Sequence, residues 1–178
     1  NSELVAIYGN FTNRVLSLIN KYYDGKIPNP DSKNNTDELV LNEVKSLKSK
    51  IELSLNEFKF REAIKNLMNI ARVGNKHLAE TEPWKIKESD PERVEQILQT
   101  SYIIIAYLSV LSEPFIPFTS NKLMKMIGLN NFSWDMLDNI SENIDYSFKI
   151  DKIEMLFRKI EDSEIDLQIN KLNGNSSL

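Results

Sequence analysis

Ser89-Asp90-Pro91-Glu92 opens a stretch that runs on to Tyr102-Ile103-Ile104-Ile105-Ala106-Tyr107-Leu108-Ser109-Val110-Leu111. An acceptor side chain placed just before a proline can cap free N–H groups. The proline needs no N–H in a first turn, and an acid there faces the positive end of the helix. The stretch is therefore predicted to be a helix from Pro91 to about Ser112, the fourth along the chain. Its apolar content is the richest in the sequence, which makes it the most buried helix and the axis of the fold. Pro114 and Pro117 stop it. The longest apolar stretch, Tyr102 to Leu111, is far short of a membrane span.

Working upstream, Pro83 disfavours helical geometry at Glu82, so a third helix ends there. Its predicted inward residues are Phe60, Ile64, Leu67, Met68, Ala71 and Leu78. A second helix starts at Asn35 or Thr36. Val40, Val44, Leu47, Ile51, Leu55 and Phe58 form its near-heptad stripe, with Glu43, Lys45, Lys48 and Lys50 on the opposite face. A break falls near residues 56–59. The proline- and asparagine-bearing stretch 26–36 is a loop. A first helix covers Ser2 to Tyr23, with Leu4, Phe11, Val15 and Tyr22 on its stripe, Ser2 as cap and Gly25 beyond its end.

Downstream, Thr119 or Ser120 begins a short fifth helix that ends at Gly128. Residues 130–150 are irregular and carry Trp134, assigned to packing. Ser163 to Asp166 has a capping-box pattern that predicts a last helix. Residues 173–178 read as frayed. With no strand-like alternation and no internal repeat, the fold class is all-α, an antiparallel helical bundle. Residues 1–161 are taken as the bundle, and 162–178 as a C-terminal helix and tail.

Composition narrows the function. Lys and Arg number 22 against 26 Asp and Glu, a net charge of −4, so the chain is no general phosphate clamp. Cysteine is absent, which removes disulfides and thiolate metal sites and fits a reducing cytoplasm. The first residues already carry helical periodicity, so no signal peptide is expected. The chain begins without Met and enters a helix at once, which reads as a piece of something longer.

Catalytic patterns are missing as well. His77 is the single histidine, on a lysine-bearing helix with no nucleophile beside it, and reads as a surface or boundary residue. Carboxylates are scattered at solvent-facing spacing, and no glycine-rich phosphate loop occurs. The expectation is a binding module with no catalytic residue and no metal ligand.

Four stretches remain. They are Tyr8-Gly9-Asn10-Phe11-Thr12-Asn13-Arg14-Val15, followed by Lys21-Tyr22-Tyr23-Asp24-Gly25; Asn75 to Lys85, which contains Glu82-Pro83-Trp84-Lys85; Leu111 to Ser120, which contains Pro114-Phe115-Ile116-Pro117; and Lys152 to Glu161. Together they resemble the anticodon-binding domain of methionyl-tRNA synthetases, from about Glu3 to about Glu161. Pro-Phe-x-Pro is shared by several class I synthetases. Gly-Asn-Phe-x-Asn-Arg and Glu-Pro-Trp-Lys, in that order, point to the methionine enzyme. Arg158 departs from the pattern, which often has proline there.

The resemblance implies a helical bundle of the class I aminoacyl-tRNA synthetase anticodon-binding type, following a Rossmann-type catalytic domain. That domain would use ATP, with zinc as a possible companion, and its HIGH-like and KMSKS-like motifs are absent here. The chain itself would need no cofactor. Its partners would be the methionine tRNA with its CAU anticodon and its own catalytic domain, in the cytoplasm, with no membrane and no DNA.

It also implies site residues. Asn10 and Arg14, four apart, share a helix face and can read the Watson–Crick edge of an unpaired base, here the first anticodon cytosine. Trp84 offers a stacking platform, with Pro83 fixing the backbone that leads into it. Lys76, Lys85 and Lys87 flank this corner within reach of phosphates. Spacing alone reads the Asn10/Arg14 pair as a solvated polar face and Trp84 as a wedge between helices. Two other functions stay open. One is the equivalent domain of an isoleucine, valine or leucine synthetase. The other is a helical protein-interaction module that uses the Val40–Phe58 stripe.

Overall fold

The computed structural model describes residues 1–172 and 174. Among them the chain is helical, with one isolated antiparallel bridge between Lys26 and Lys149 and no strand. A π-helical turn, Leu4–Gly9, leads into α1, Asn10–Tyr23. Then come α2 (Asn35–Asn56), α3 (Phe60–Thr81), the one-turn α4 (Pro83–Ile86), α5 (Pro91–Leu111) and α6 (Pro117–Met126). A 3-10 turn, Asp135–Leu137, precedes α7 (Ile140–Asn143), and α8 spans Asp162–Leu172.

The predicted axis is observed. The Asp90 side chain accepts a hydrogen bond from the Arg93 backbone N–H at 3.0 Å, and every residue from Thr100 to Leu111 is buried. As a whole, α5 is long and apolar enough to cross a bilayer, a test the shorter Tyr102–Leu111 run fails. Its apolar window is 83% buried inside the bundle, which is how a core helix satisfies the same criterion. Its two tyrosines reach polar ends through the core. Tyr102 Oη donates to the Ile127 carbonyl at 2.6 Å and Tyr107 Oη to the Leu137 carbonyl at 2.8 Å. Each bond sews the irregular segment after α6 onto the axis.

Helix directions follow from the pairs that meet. Asp37 and Arg93 join the starts of α2 and α5. Tyr8, just before α1, donates to the Leu108 carbonyl near the end of α5. Glu3 meets Arg72, and Asn75 Nδ2 donates to the Ile7 carbonyl. Thus α2 and α5 run one way, and α1 and α3 the other. Where α1 crosses α3, Gly74 admits the Phe11 ring; a Cβ there would stand 2.4 Å from the ring's Cζ. Close backbone approach is what the missing side chain permits.

Several expectations need correction. Ser2 does not cap the first helix; the chain enters through the π-turn, whose flanking residue has no side-chain cap. Phe58, Phe60 and Ile64, expected inward, are exposed. The α2–α3 turn explains the first two: Phe58 sits at φ 58°, which swings it off the stripe. Lys48, placed on the solvent face, is buried between Glu52 and Asp138, each 2.9 Å away. His77 is buried as well, at 3% exposure. The fifth helix begins at Pro117, since a proline is as good a first residue as it is a stop. Residues 130–150 hold two short helices. The Ser163 cap is displaced: the Glu164 carboxylate accepts from the Glu161 backbone N–H at 3.1 Å, two positions earlier. Trp134 packs against the core, as expected.

The centre of the Val40–Phe58 stripe, Val44, Leu47 and Ile51, is core. The face is therefore spent inside the bundle and is not a free docking surface. Of the tail expected to fray, residues 173 and 175–178 lie outside the described residues.

The chain closes on itself through a clasp. Helix α1 ends with two left-handed residues, Asp24 at φ 53° and Gly25 at φ 78°. Gly25 presses on the backbone of Ile150, and its carbonyl accepts the Ile150 N–H at 2.9 Å. Any side chain at Gly25 would strike the Ile150 carbonyl.

Candidate nucleic-acid interface

Asn10 is the first residue of α1 and is exposed. Arg14 follows one turn on, half-buried. Its guanidinium carbon lies 5.2 Å from the centre of the Trp84 ring, a cation–π distance. Sequence spacing placed Asn10 beside Arg14, and the fold adds Trp84 from 70 residues away. The wedge reading of Trp84 does not hold, because 38% of its surface is open.

The corner that carries Trp84 is built by its neighbours. Glu82 adopts φ 40°, a left-handed turn that ends α3 and is uncommon for a residue with a side chain. Pro83 then starts α4 at its first position and is itself buried. Glu82 and Pro83 thereby set the backbone that enters Trp84. Lys85 closes the turn by pairing with Glu82 at 2.9 Å.

The three lysines near this corner differ. Lys85 is held by Glu82, and Lys76 lies 3.9 Å from Glu80. The Lys87 ammonium sits 5.0 Å from the Tyr23 ring centre and 5.5 Å from that of Tyr22. Two sets of cation–aromatic contacts thus tie α1 to the α4 corner, Arg14 on Trp84 and Lys87 on Tyr22 and Tyr23. Burial pushes the Tyr23 hydroxyl up to about 12, helped by Glu95, so it stays a neutral phenol at physiological pH.

Sequence reasoning missed the polar cluster beneath this corner. Arg93 Nη2 donates to Asp37 Oδ1 at 2.8 Å, and Nη1 bonds the second carboxylate oxygen. His77 Nε2 lies 3.6 Å from Asp37 Oδ1, beyond hydrogen-bond reach. Thr81, in the last turn of α3, donates to the His77 carbonyl at 2.7 Å. The cluster joins the starts of α2 and α5 to the end of α3, the same end that presents Trp84. Its one signal in the sequence was an acid in the first turn of α2, which reads equally as an ordinary N-terminal charge.

Burial lowers the His77 pKa below its ordinary 6.5; Arg93 lowers it further, while Asp37 and Glu80 pull it up. The folded chain therefore binds a proton on His77 less readily than the unfolded chain. The stability tied to neutral His77 is full above about pH 6.5 and is lost as pH falls through the folded value. The melting temperature is expected to fall as pH is lowered from 7 to 5.5, and to fall less steeply in His77→Gln. Parallel slopes for the two proteins would remove His77 as the cause.

Comparison with solved structures places the architecture. Mycobacterium tuberculosis methionyl-tRNA synthetase in complex with methionyl-adenylate superposes with a TM-score of 0.77 over 89% of this chain and 32% of that one, at 19% identity. The fold is thus one found within a class of aminoacyl-tRNA synthetases. The family model described as "Anticodon binding domain of methionyl tRNA ligase" matches residues 27–177. The chain belongs to that family. Among curated relatives, the methionine–tRNA ligase of Phocaeicola vulgatus is 45% identical over 172 residues, covering 97% of this chain and 25% of its own length. That of Flavobacterium psychrophilum is 46% identical over 175 residues, covering 98% and 26%. The chain spans about a quarter of the length of these relatives.

Proposed function

We propose that this domain reads the CAU anticodon loop of the methionine tRNA for a longer methionine–tRNA ligase. Asn10 and Arg14 hydrogen-bond the Watson–Crick edge of the first anticodon cytosine, and Trp84, set by Pro83, stacks on an anticodon base. The observation that carries this reading is the 5.2 Å approach of Arg14 to the Trp84 ring, which gives a donor fork and a stacking face to one open surface. Single-stranded RNA is read by that combination. Residues 1–161 form the reading bundle, and 162–178 are an appendix to it.

Catalysis belongs to the rest of the polypeptide. ATP would bind there, with zinc as a possible second group, and methionine would be joined to the tRNA there. The partners are then the tRNA and that catalytic half, working in the cytoplasm. With a net charge of −4, affinity must come from the local contacts.

Arg14→Ala tests the assignment. In the full-length ligase, charging of tRNA with cytosine at the first anticodon position is expected to lose its advantage over the uracil-bearing transcript. The ratio should fall about tenfold or more, since each base-edge contact set contributes on the order of 1–3 kcal/mol. An unchanged ratio would take the reading role away from Arg14.

A further inference from the structure

Residues 151–160 form an extended strap that is pinned on both sides of Phe157. The strap leaves the clasp at Gly25, beyond the end of α1, and reaches Asn1, ahead of its start, so it runs back along that helix. The Lys122 ammonium of α6 donates to the Met155 carbonyl at 3.0 Å and pairs with Glu154 at 3.0 Å. The Asn1 carboxamide donates to the Ile160 carbonyl at 2.8 Å and accepts from the Ile160 N–H at 2.9 Å. Between these ties, Phe157 packs against the entry to α1.

The ring of Phe157 meets that of Tyr8 edge-on, with centres 5.5 Å apart. A Cβ at Gly9 would stand 3.1 Å from Phe157 Cδ2 and 3.1 Å from the Leu4 carbonyl oxygen. Gly9 has an ordinary helical φ of −63°, so it is the space beside it, and not its backbone, that calls for glycine. A glycine weakens a helix, and Phe157 takes the room it leaves. Tyr8 is fully buried, with its Oη donating to the Leu108 carbonyl of α5 at 3.1 Å. Tyr8 and Gly9 are thus gripped between α5 and Phe157. Asn10 is the next residue. Its N–H returns to the carbonyls of Val5 and Ile7, where the π-turn gives way to α1. A π-turn is a rare geometry and helix ends fray, so this join is where Asn10 is free to swing unless it is held. Reading a base edge needs the side chain held within about half an ångström. Arg14 lies one turn further in, against Trp84, while Asn10 has the Phe157 grip instead.

We propose that Phe157 is a positioning residue: through Tyr8 and Gly9 it holds the first turn of α1, and so aims Asn10 at the edge of the anticodon cytosine. The proposal rests on reading Asn10 and Arg14 as the base-edge pair. A residue of the strap, far along the chain from α1, thereby sets the base preference without touching RNA.

The test is made in the full-length ligase, on the ratio of kcat/KM for charging transcripts with cytosine or uracil at the first anticodon position. Phe157→Ala is expected to cut this ratio about fivefold or more, and Phe157→Tyr, which keeps the ring, to hold it within about twofold of the parent. The loss should run through Asn10. In the double variant Phe157→Ala with Asn10→Ala, the ratio is expected to match that of Asn10→Ala alone, because side chains that act in series do not add. Gly9→Ala reaches the ring from the other side, with a methyl group pressed against it, and should also lower the ratio. It carries the test if Phe157→Ala melts below the assay temperature. A parent-like ratio in either variant, or losses that multiply in the double variant, would overturn the proposal and leave Phe157 a packing residue only. Asn10→Ala reports separately on the reading itself. If that variant keeps the parent ratio, the base-edge reading falls and takes the proposal with it. If it lowers the ratio while Phe157→Ala does not, the positioning role falls alone.

Discussion

Asp37→Ala is expected to destabilise the bundle by about 3–5 kcal/mol, the usual cost of removing one partner from a buried ion pair. Asp37 is 4% exposed and takes both guanidinium nitrogens of Arg93. Without it the Arg93 charge stays in place, poorly solvated, with only Gln96 Oε1 as a side-chain acceptor at 3.1 Å. His77 loses the carboxylate that favours its protonated form. For a chain of this size each kcal/mol moves the midpoint by roughly 2–4 °C, so a fall of about 10 °C is the central expectation in a thermal melt. The double change Asp37→Leu with Arg93→Met should recover part of the loss, because it removes both charges together. A fall of less than about 2 °C in the single variant would mean that the pair is largely solvated.

Trp84→Ala should weaken binding of the CAU anticodon stem-loop ten- to a hundredfold, from roughly 1–3 kcal/mol of base stacking. The ring is more than one-third open and lies outside the core, so its loss should leave the fold intact. It also takes away the surface under Arg14, which makes the effect larger than stacking alone. Trp84→Phe keeps a smaller ring and should recover much of the affinity. Equal affinities for parent and alanine variant, with equal melting temperatures, would end the stacking role.

What could be read in the sequence follows the range of each interaction. The helices announced themselves through local chemistry: Asp90-Pro91 before α5, Pro83 after α3, and the apolar periodicity between. The same logic placed Asn10 beside Arg14, since four residues make one turn. It could not bring Trp84 to Arg14, because that needs the whole α2–α3 hairpin. The resemblance supplied those residues as a set, and the fold places Arg14 and Trp84 together. Periodicity failed at its edges. Phe58 fits the second helix's stripe and Phe60 the third's by number, but a left-handed turn at Phe58 sets both at the join, where they are exposed. Lys48 and His77 looked solvent-facing because the carboxylates that face them, Asp138 and Asp37, come from other elements far along the chain. A buried polar residue is recognised by its partner, and partners at long range leave no local trace.

The clasp between Gly25 and Ile150 also bears on time. The α2–α3 pair meets across a turn of a few residues, while Tyr8 reaches Leu108 across 100. The clasp shuts a loop of about 125 residues, so its entropy of closure is repaid only after the bundle has already drawn the ends together. It should form after the α2–α3 hairpin and be among the early bonds to let go. The segment from Asp135 to Ile150, tied to α5 by Tyr107 and to the end of α1 by the clasp, would then open as one piece while the reading corner stays folded. In that order of events, the Arg14–Trp84 corner outlasts the seam that closes the domain.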